Sequence, residues 1–258
     1  MWVFKTLAES DLGLVRDGNE DSALVSPRLV AVADGMGGHA AGEVASTIAI
    51  QTLVELKPIL DDPMVDVQSR EDLFLNIAFE IVHQLEERVD TNPALSGMGT
   101  TLTALYLSEK KVELLHVGDS RCYRYRDGKL TQLSYDHTVM QELLDQGRLT
   151  AEEIIDHPQR SLLTQVLIAK ANLDPVLVSY PTEIGDRFLV CSDGLSSVLS
   201  ELEIVSILKK SENENVVADL IAATKAKGAP DNITILWVEV ISSSTDASDL
   251  VLLGAARE

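Results

Sequence analysis

Apolar and polar positions change their spacing several times along this chain, and each change marks an element. Residues 3–8 and 23–34 carry the apolar runs expected of strands, the second interrupted by a Ser-Pro-Arg turn at 26–28. From Gly42 to about Lys57 the spacing lengthens. Ala45, Ile48, Ala49, Thr52, Leu53 and Leu56 recur at helical intervals, and a loop containing Pro58, Asp61, Asp62 and Pro63 follows. A second helix is expected through about Asp90, with Ser69-x-x-Asp72 as its capping box and Leu73, Ile77, Ile81 and Leu85 as its core stripe. Four strand-like segments come next: TTLTALYL, KVELLHVGD, RCYRYR and KLTQLS. Asp127-Gly128 between the last two predicts a tight type I′ hairpin, and the spacing of all four predicts one antiparallel meander.

Residues 138–156 return to a helical or mixed pattern divided by Gly147. Strands are expected at 176–180, 187–192 and 232–240, and helices at about 201–209 and 214–227. Strand blocks and helix blocks therefore segregate. That predicts an α+β layered sandwich on antiparallel sheets rather than a doubly wound parallel sheet. Residues 1–240 hold no repeat or low-complexity block, and the tail at 241–258, SSSTDAS before LVLLGAARE, is expected to be a mobile extension.

Composition changes this picture in few places. The 258 residues are 45% hydrophobic and 24% charged, ordinary for a globular chain with a substantial core. No apolar run reaches the roughly 18–20 residues of a membrane span. The opening MWVFKTLAESD has no basic segment before a long apolar one, so no signal peptide is expected. Cys122 and Cys191 form no framework and lie in strand-like contexts, which suits buried reduced thiols and a cytoplasmic setting. A net charge of −20 repels phosphate backbones and disfavours nucleic acid as a partner.

The acids fall in a pattern of their own. Glu20 and Asp21 precede a strand in RDGNED, and Asp34, Asp119 and Asp193 end strands in ADG, VGDSR and VCSDG. Asp231 precedes the last strand in APDN. Each alone reads as an ordinary turn or Asx residue. Together they can gather at one edge of a sheet system, where their repulsion is relieved by divalent cations with oxygen ligands. No Cys/His cluster offers a softer site, so Mg²⁺ or Mn²⁺ is expected over Zn²⁺. The glycines after Asp34 are expected to let the Gly35 carbonyl and water approach such an ion.

RDGNED, VADGMGGHAAGE, GMGTTLTAL, HVGDSRCYRYRDGKLTQLSYDHT, HP-x-R-x-x-LT, VCSDGL and GAPDNIT occur in this order. Together they resemble the PPM (PP2C-type) family of metal-dependent serine/threonine protein phosphatases, in its compact bacterial form, over about residues 3–240. The resemblance implies a four-layer α-β-β-α sandwich, two central antiparallel sheets flanked by helix pairs, with a two-metal centre in a cleft at one edge. Carried onto this chain, Asp34 bridges both metals. The Gly35 carbonyl and Glu20 or Asp21 serve one side, and Asp193 with Asp231 serves the other. Bacterial members often hold a third, weaker metal, for which the matching acids are Asp119 and Asp193. Arg16 matches the arginine that grips the substrate phosphate, and His39 the histidine proposed to protonate the leaving oxygen.

Residues at about 135–172 look like the flap bordering the cleft in bacterial members. After LTQVL the family usually places glycine, whereas this chain has Ile168-Ala169-Lys170. The implied partners are phosphorylated proteins, targets of a serine/threonine kinase, with the chain acting as a monomer and no covalent phosphoenzyme. Three other readings share some of these features: an inactive regulator on the same fold, a two-metal phosphodiesterase or nuclease, and a structural Ca²⁺ protein. Retention of every acid disfavours the first, and the charge of −20 disfavours a polyanionic substrate for the second. The third predicts calcium binding without turnover.

Overall fold

A computed structural model describes all residues except 38–40, 151–152, 154–156, 158, 160–161, 245–248 and 258. Two antiparallel sheets lie face to face. One has the order β1 (Trp2–Asp11), β12 (Ile233–Ser242), β11 (Arg187–Cys191), β7 (Arg121–Arg126), β8 (Lys129–Gln132). The other runs β10 (Val176–Pro181), β6 (Lys111–Val117), β5 (Leu102–Ser108), β3 (Leu29–Met36), β2 (Asp21–Val25), β13 (Val251–Gly254). The short strands β4 (Gly99–Thr100) and β9 (Leu167–Ile168) join the second sheet through β3.

Alternation along β12 shows how the layers form. Leu236, Val238 and Val240 enter the core between the sheets with Phe4, Val30, Val32, Phe188 and Val190. Ile233, Ile235 and Trp237 point the other way, onto α5 (Glu201–Lys210) and α6 (Val216–Ala226). On the opposite sheet, Ala31 and Ala33 of β3 and Leu115 and Val117 of β6 meet α1 (Ala41–Leu60) and α2 (Val67–Thr91). A period of two on strands and 3.6 on helices thus yields three buried seams and an α-β-β-α sandwich.

Several elements differ from the sequence expectation. Helix α1 continues through Pro58 to Leu60, because the Leu60 carbonyl left free near the helix end accepts from Arg70 Nε and Tyr106 Oη, each at 2.7 Å. Helix α2 starts a turn earlier than Ser69-x-x-Asp72 implied. Asp66 is its N-cap, accepting from the Ser69 amide at 3.0 Å. The four-strand meander does not form. β5 pairs with β6 in one sheet and β7 with β8 in the other, so the chain changes sheets at residues 118–120. The hairpin at Asp127-Gly128 does form, with φ of 52° and 75°. The tail does not hang free at residues 251–254, which add β13 to the edge of β2, and Ala256 is buried beyond it. In the expected flap region, α3 (Val139–Asp145) is capped by Thr138, and an isolated bridge joins Thr138 to Leu163. Ile168 is extended in β9, and the positive φ of that turn falls on Lys170, at 64°.

Candidate active site

The acids singled out from the sequence meet where the two sheets adjoin. Glu20, Asp34, Asp119, Asp193 and Asp231 line one cleft of about 200 Å³, together with Arg16 and Gly35. Asp34 stands near the end of β3, and its backbone is fixed on both sides. Its amide donates to Thr101 Oγ1 at 3.0 Å, and its carbonyl accepts from the Thr101 amide at 2.9 Å and from Thr100 Oγ1 at 3.0 Å. Asp193 opens α4 (Asp193–Ser196), directly after β11. Asp231 closes the turn before β12, and Asp119 stands at the crossing between sheets.

The backbone after Asp34 is bare for a reason the sequence did not suggest. A Cβ on Gly35 would lie 2.2 Å from the Gly42 carbonyl oxygen and 2.5 Å from that of Glu20. One on Gly42 would lie 2.7 Å from the Glu20 side chain. These glycines let the start of α1, the end of β3 and the approach to β2 close on one another, and that closure brings Glu20 to the cleft.

Glu20 and Asp21, left as alternatives by the sequence, part company here. Glu20 lines the cleft, whereas consecutive residues at a strand face opposite ways and Asp21 points into the interior. There Ser192 Oγ donates to its carboxylate at 2.8 Å. Arg16 reaches the cleft but is engaged, its guanidinium donating to Asp231 at 2.6 Å. His39 lies outside the described residues.

Crowding these acids has an electrostatic cost. Burial, and then the charges of Asp21, Asp193, Asp119 and Asp231, push the Asp34 carboxyl well above the ordinary carboxylate range. Burial and Asp193 raise Asp119 to about 7. Burial and Asp231 raise Asp193 to about 6, against a hydrogen bond with Asp34. Asp21 is raised to about 7 by burial, against hydrogen bonds from Thr234 and Ser192. The donors are all oxygens, the set that hard divalent ions such as Mg²⁺ and Mn²⁺ take and that Zn²⁺ does not favour. Among the described residues, no three His, Cys, Asp or Glu side chains already stand around one point as a metal cluster. A full shell here therefore needs backbone oxygen and water as well, which suits Mg²⁺ and Mn²⁺.

Three residues that hold the acids were not singled out from the sequence. Thr101 fixes Asp34. Ser192 bonds Asp21. Asn232 accepts from the Glu20 amide at 2.8 Å and donates to the carbonyls of Leu12 and Gly18 at 2.9 and 3.0 Å. Asn232 and Ser192 stand directly beside a strand-end acid inside a quoted motif. The hydroxyl or amide neighbour of each such acid is therefore the signal that finds them. Both cysteines are buried, and burial pushes the Cys191 thiol up to about 12 and Cys122 higher still, which rules out a thiolate nucleophile.

Comparison with known proteins agrees with this geometry. The protein phosphatase 2C family description matches residues 18–231. The serine/threonine protein phosphatase PstP of Mycobacterium tuberculosis is 41% identical over 253 residues, covering 98% of this chain and 48% of that protein. The chain thus spans about half the length of that relative. The serine/threonine phosphatase stp of Listeria monocytogenes is 35% identical over 240 residues, covering 89% of this chain and 93% of that one. Among solved structures, the M. tuberculosis phosphatase PstP superposes with a TM-score of 0.85 at 42% identity, covering 93% of this chain and all of that one. A PstP catalytic domain in complex with two manganese ions gives 0.84 at 39% identity, covering 94% of this chain and all of that one. Matched in sequence over most of its length and in fold over nearly all of it, the chain belongs to the protein phosphatase 2C family.

Proposed function

We propose that this chain is a protein serine/threonine phosphatase that hydrolyses phosphoserine and phosphothreonine monoesters at a two-metal Mg²⁺ or Mn²⁺ centre. The observation that carries the reading is the convergence of five acids from both sheets, with one arginine, on a single open cleft. Asp34 would be a ligand shared by both cations. Glu20 and the Gly35 carbonyl would hold one cation, Asp193 and Asp231 the other, and Asp119 with Asp193 a third, weaker one. Asp21 supports from behind. Two bound cations supply a water acidic enough to attack phosphorus at neutral pH and offset charge on the phosphoryl oxygens.

The chain's own residues do the rest. Arg16 lines the cleft with one guanidinium nitrogen on Asp231, and its planar fork suits two phosphate oxygens there. The leaving seryl or threonyl oxygen is strongly basic, and His39 is the residue placed in sequence to protonate it. Leu163, reaching the cleft from the segment after α3, gives a substrate peptide an apolar edge to lie against.

The substrates are phosphorylated proteins, targets of a serine/threonine kinase, and the chain works as a monomer. Buried reduced thiols suit the cytoplasm. No helix among the described residues is long and apolar enough to cross a membrane.

The test is phosphate release from p-nitrophenyl phosphate and a phosphothreonine peptide, with Mn²⁺ or Mg²⁺ and then with excess EDTA. Release from both that stops with EDTA is expected. No release with any divalent cation would defeat the reading.

A further inference from the structure

Asp119, like Glu20 and Asp231, lies outside any regular element. It stands at the crossing between sheets, after Gly118, whose φ is 111°. Its neighbours in the chain must therefore be held from outside, and they are. Ser120 is gripped on the side of the second sheet, its hydroxyl 2.8 Å from Thr101 Oγ1 and its carbonyl accepting from Thr103 Oγ1 at 2.9 Å. Gly118 is gripped on the other side, at both polar atoms, by one residue. The His137 amide donates to the Gly118 carbonyl at 2.8 Å, and the Gly118 amide donates to His137 Nδ1 at 3.0 Å.

His137 is itself rigidly placed. It is buried, and its ring stacks on His116 with centroids 5.0 Å apart and planes 30° apart. Both nitrogens of His116 are engaged, Nδ1 with Thr103 Oγ1 and Nε2 with the Tyr135 carbonyl, each at 2.9 Å. The His137 carbonyl in turn accepts from the Thr164 amide at 2.9 Å, one residue past Leu163 at the cleft edge. Its neighbour Asp136 holds Arg121 through Nε and Nη2.

We propose that His137 is a positioning residue for Asp119: its unprotonated Nδ1 and its backbone fix the Gly118 turn, and they tie that turn to the segment carrying Leu163. Removing the Nδ1 acceptor frees the Gly118 amide, lets the turn move, and weakens cation binding at the position shared by Asp119 and Asp193. The link to Leu163 makes peptide occupancy and cation occupancy at that position help each other. The inference rests on the proposed reading of Asp119 as a ligand of the weaker cation position.

Mn²⁺ binding to the full chain without substrate, by titration calorimetry and by electron paramagnetic resonance of free Mn²⁺, tests it. His137→Leu keeps the bulk and removes the acceptor. It is expected to weaken the weakest class of Mn²⁺ sites by about tenfold or more, the loss typical of an outer-shell partner. His137→Asn puts an oxygen where Nδ1 stood and is expected to stay within about threefold of the parent, the cost of an imperfect hydrogen bond. In an Asp119→Ala background, His137→Leu should change Mn²⁺ binding no further. With a phosphothreonine peptide, His137→Leu should raise KM more than it lowers kcat. Equal losses in the Leu and Asn variants, no loss in the Leu variant, or an added loss in the Asp119→Ala background would each overturn the proposal. Should His137→Leu melt early, His137→Gln against His137→Asn makes the same comparison, and equal Mn²⁺ affinity in those two overturns it. If the phosphatase reading itself failed, the parent chain would show no turnover with any divalent cation.

Discussion

Asp193 shows what a residue of this site costs the fold and what it gives. Its half-buried carboxyl faces Asp231 and Asp34 and is raised to about 6, so as an anion it is held against its own preference. It also opens α4, where an acid meets the positive helix end, but α4 has only four residues and that compensation is small. Asp193→Ala should therefore abolish turnover while leaving the metal-free chain, near pH 7.5, as stable as the parent or more so. Calorimetry in EDTA beside a phosphate-release assay checks both halves, and a large fall in melting temperature would contradict the account. The same trade of stability for function explains how legible the residues were. Asp34, Asp119 and Asp193 were readable in sequence because an acid closing an apolar run is unusual, whereas Glu20 and Asp231, each just ahead of a strand, stood out only beside them. The choice between Glu20 and Asp21 was not readable, since it depends on which face of β2 the sandwich buries. The supports Thr101, Ser192 and Asn232 stayed hidden because polar residues near turns carry no signal until an acid is known to need them.

Elements built by local rules were read well, and those decided by distant packing were not. The Asp127-Gly128 hairpin follows from positive φ at two adjacent residues, a local matter. Nothing local distinguishes the Gly118–Ser120 crossing from a hairpin between β6 and β7, because the choice of sheet is made by the core each strand enters. β13 illustrates the same limit. Four residues after a polar run look like a mobile end, yet Val251, Leu252, Leu253 and Gly254 pair with Val25, Leu24, Ala23 and Ser22. Gly254 takes φ of 64°, and a Cβ there would stand 2.1 Å from the Asp21 carbonyl oxygen. The strand thus closes the β2 edge directly behind the cleft acids. Gly254→Val should lower the melting temperature by about 2–8 °C, from about 1–2 kcal/mol of left-handed strain, and further through the clash. Because the displaced backbone is that of Asp21, the same variant should also weaken Mn²⁺ binding. An unchanged melting temperature with unchanged Mn²⁺ affinity would mean that β13 is ornamental to the site.

At the scale of the molecule, the site lies on the seam between its two halves. Glu20 and Asp34 belong to the half built on α1, α2 and the larger sheet, while Asp193 and Asp231 belong to the half built on α5, α6 and the smaller one. Without cations these halves meet across mutually repelling carboxyls, with Arg16 on Asp231 the one cation joining the cleft acids among the described ion pairs. That arrangement fixes the sign of a pH effect. In the unfolded chain carboxyls ionise near about 4. In the folded chain Asp21 and Asp119 keep protons to about 7 and Asp193 to about 6. Between those limits the folded state binds more protons than the unfolded one, so this cluster makes the metal-free protein less stable as pH rises from about 4 to about 7, with no further change above. Bound cations remove that penalty by taking the place of the protons, and they add stability by mass action, about 2.7 kcal/mol at a hundred times Kd. Protons compete with them at low pH. Saturating Mn²⁺ should therefore raise the melting temperature more near pH 7.5 than near pH 5.5, and the stability lost in EDTA between those values should be restored by the ion. Calorimetry at the two pH values, with Mn²⁺ and with EDTA, reads all four quantities. An Mn²⁺ increment equal at both would show that the acids of the two halves do not share their charge across the seam.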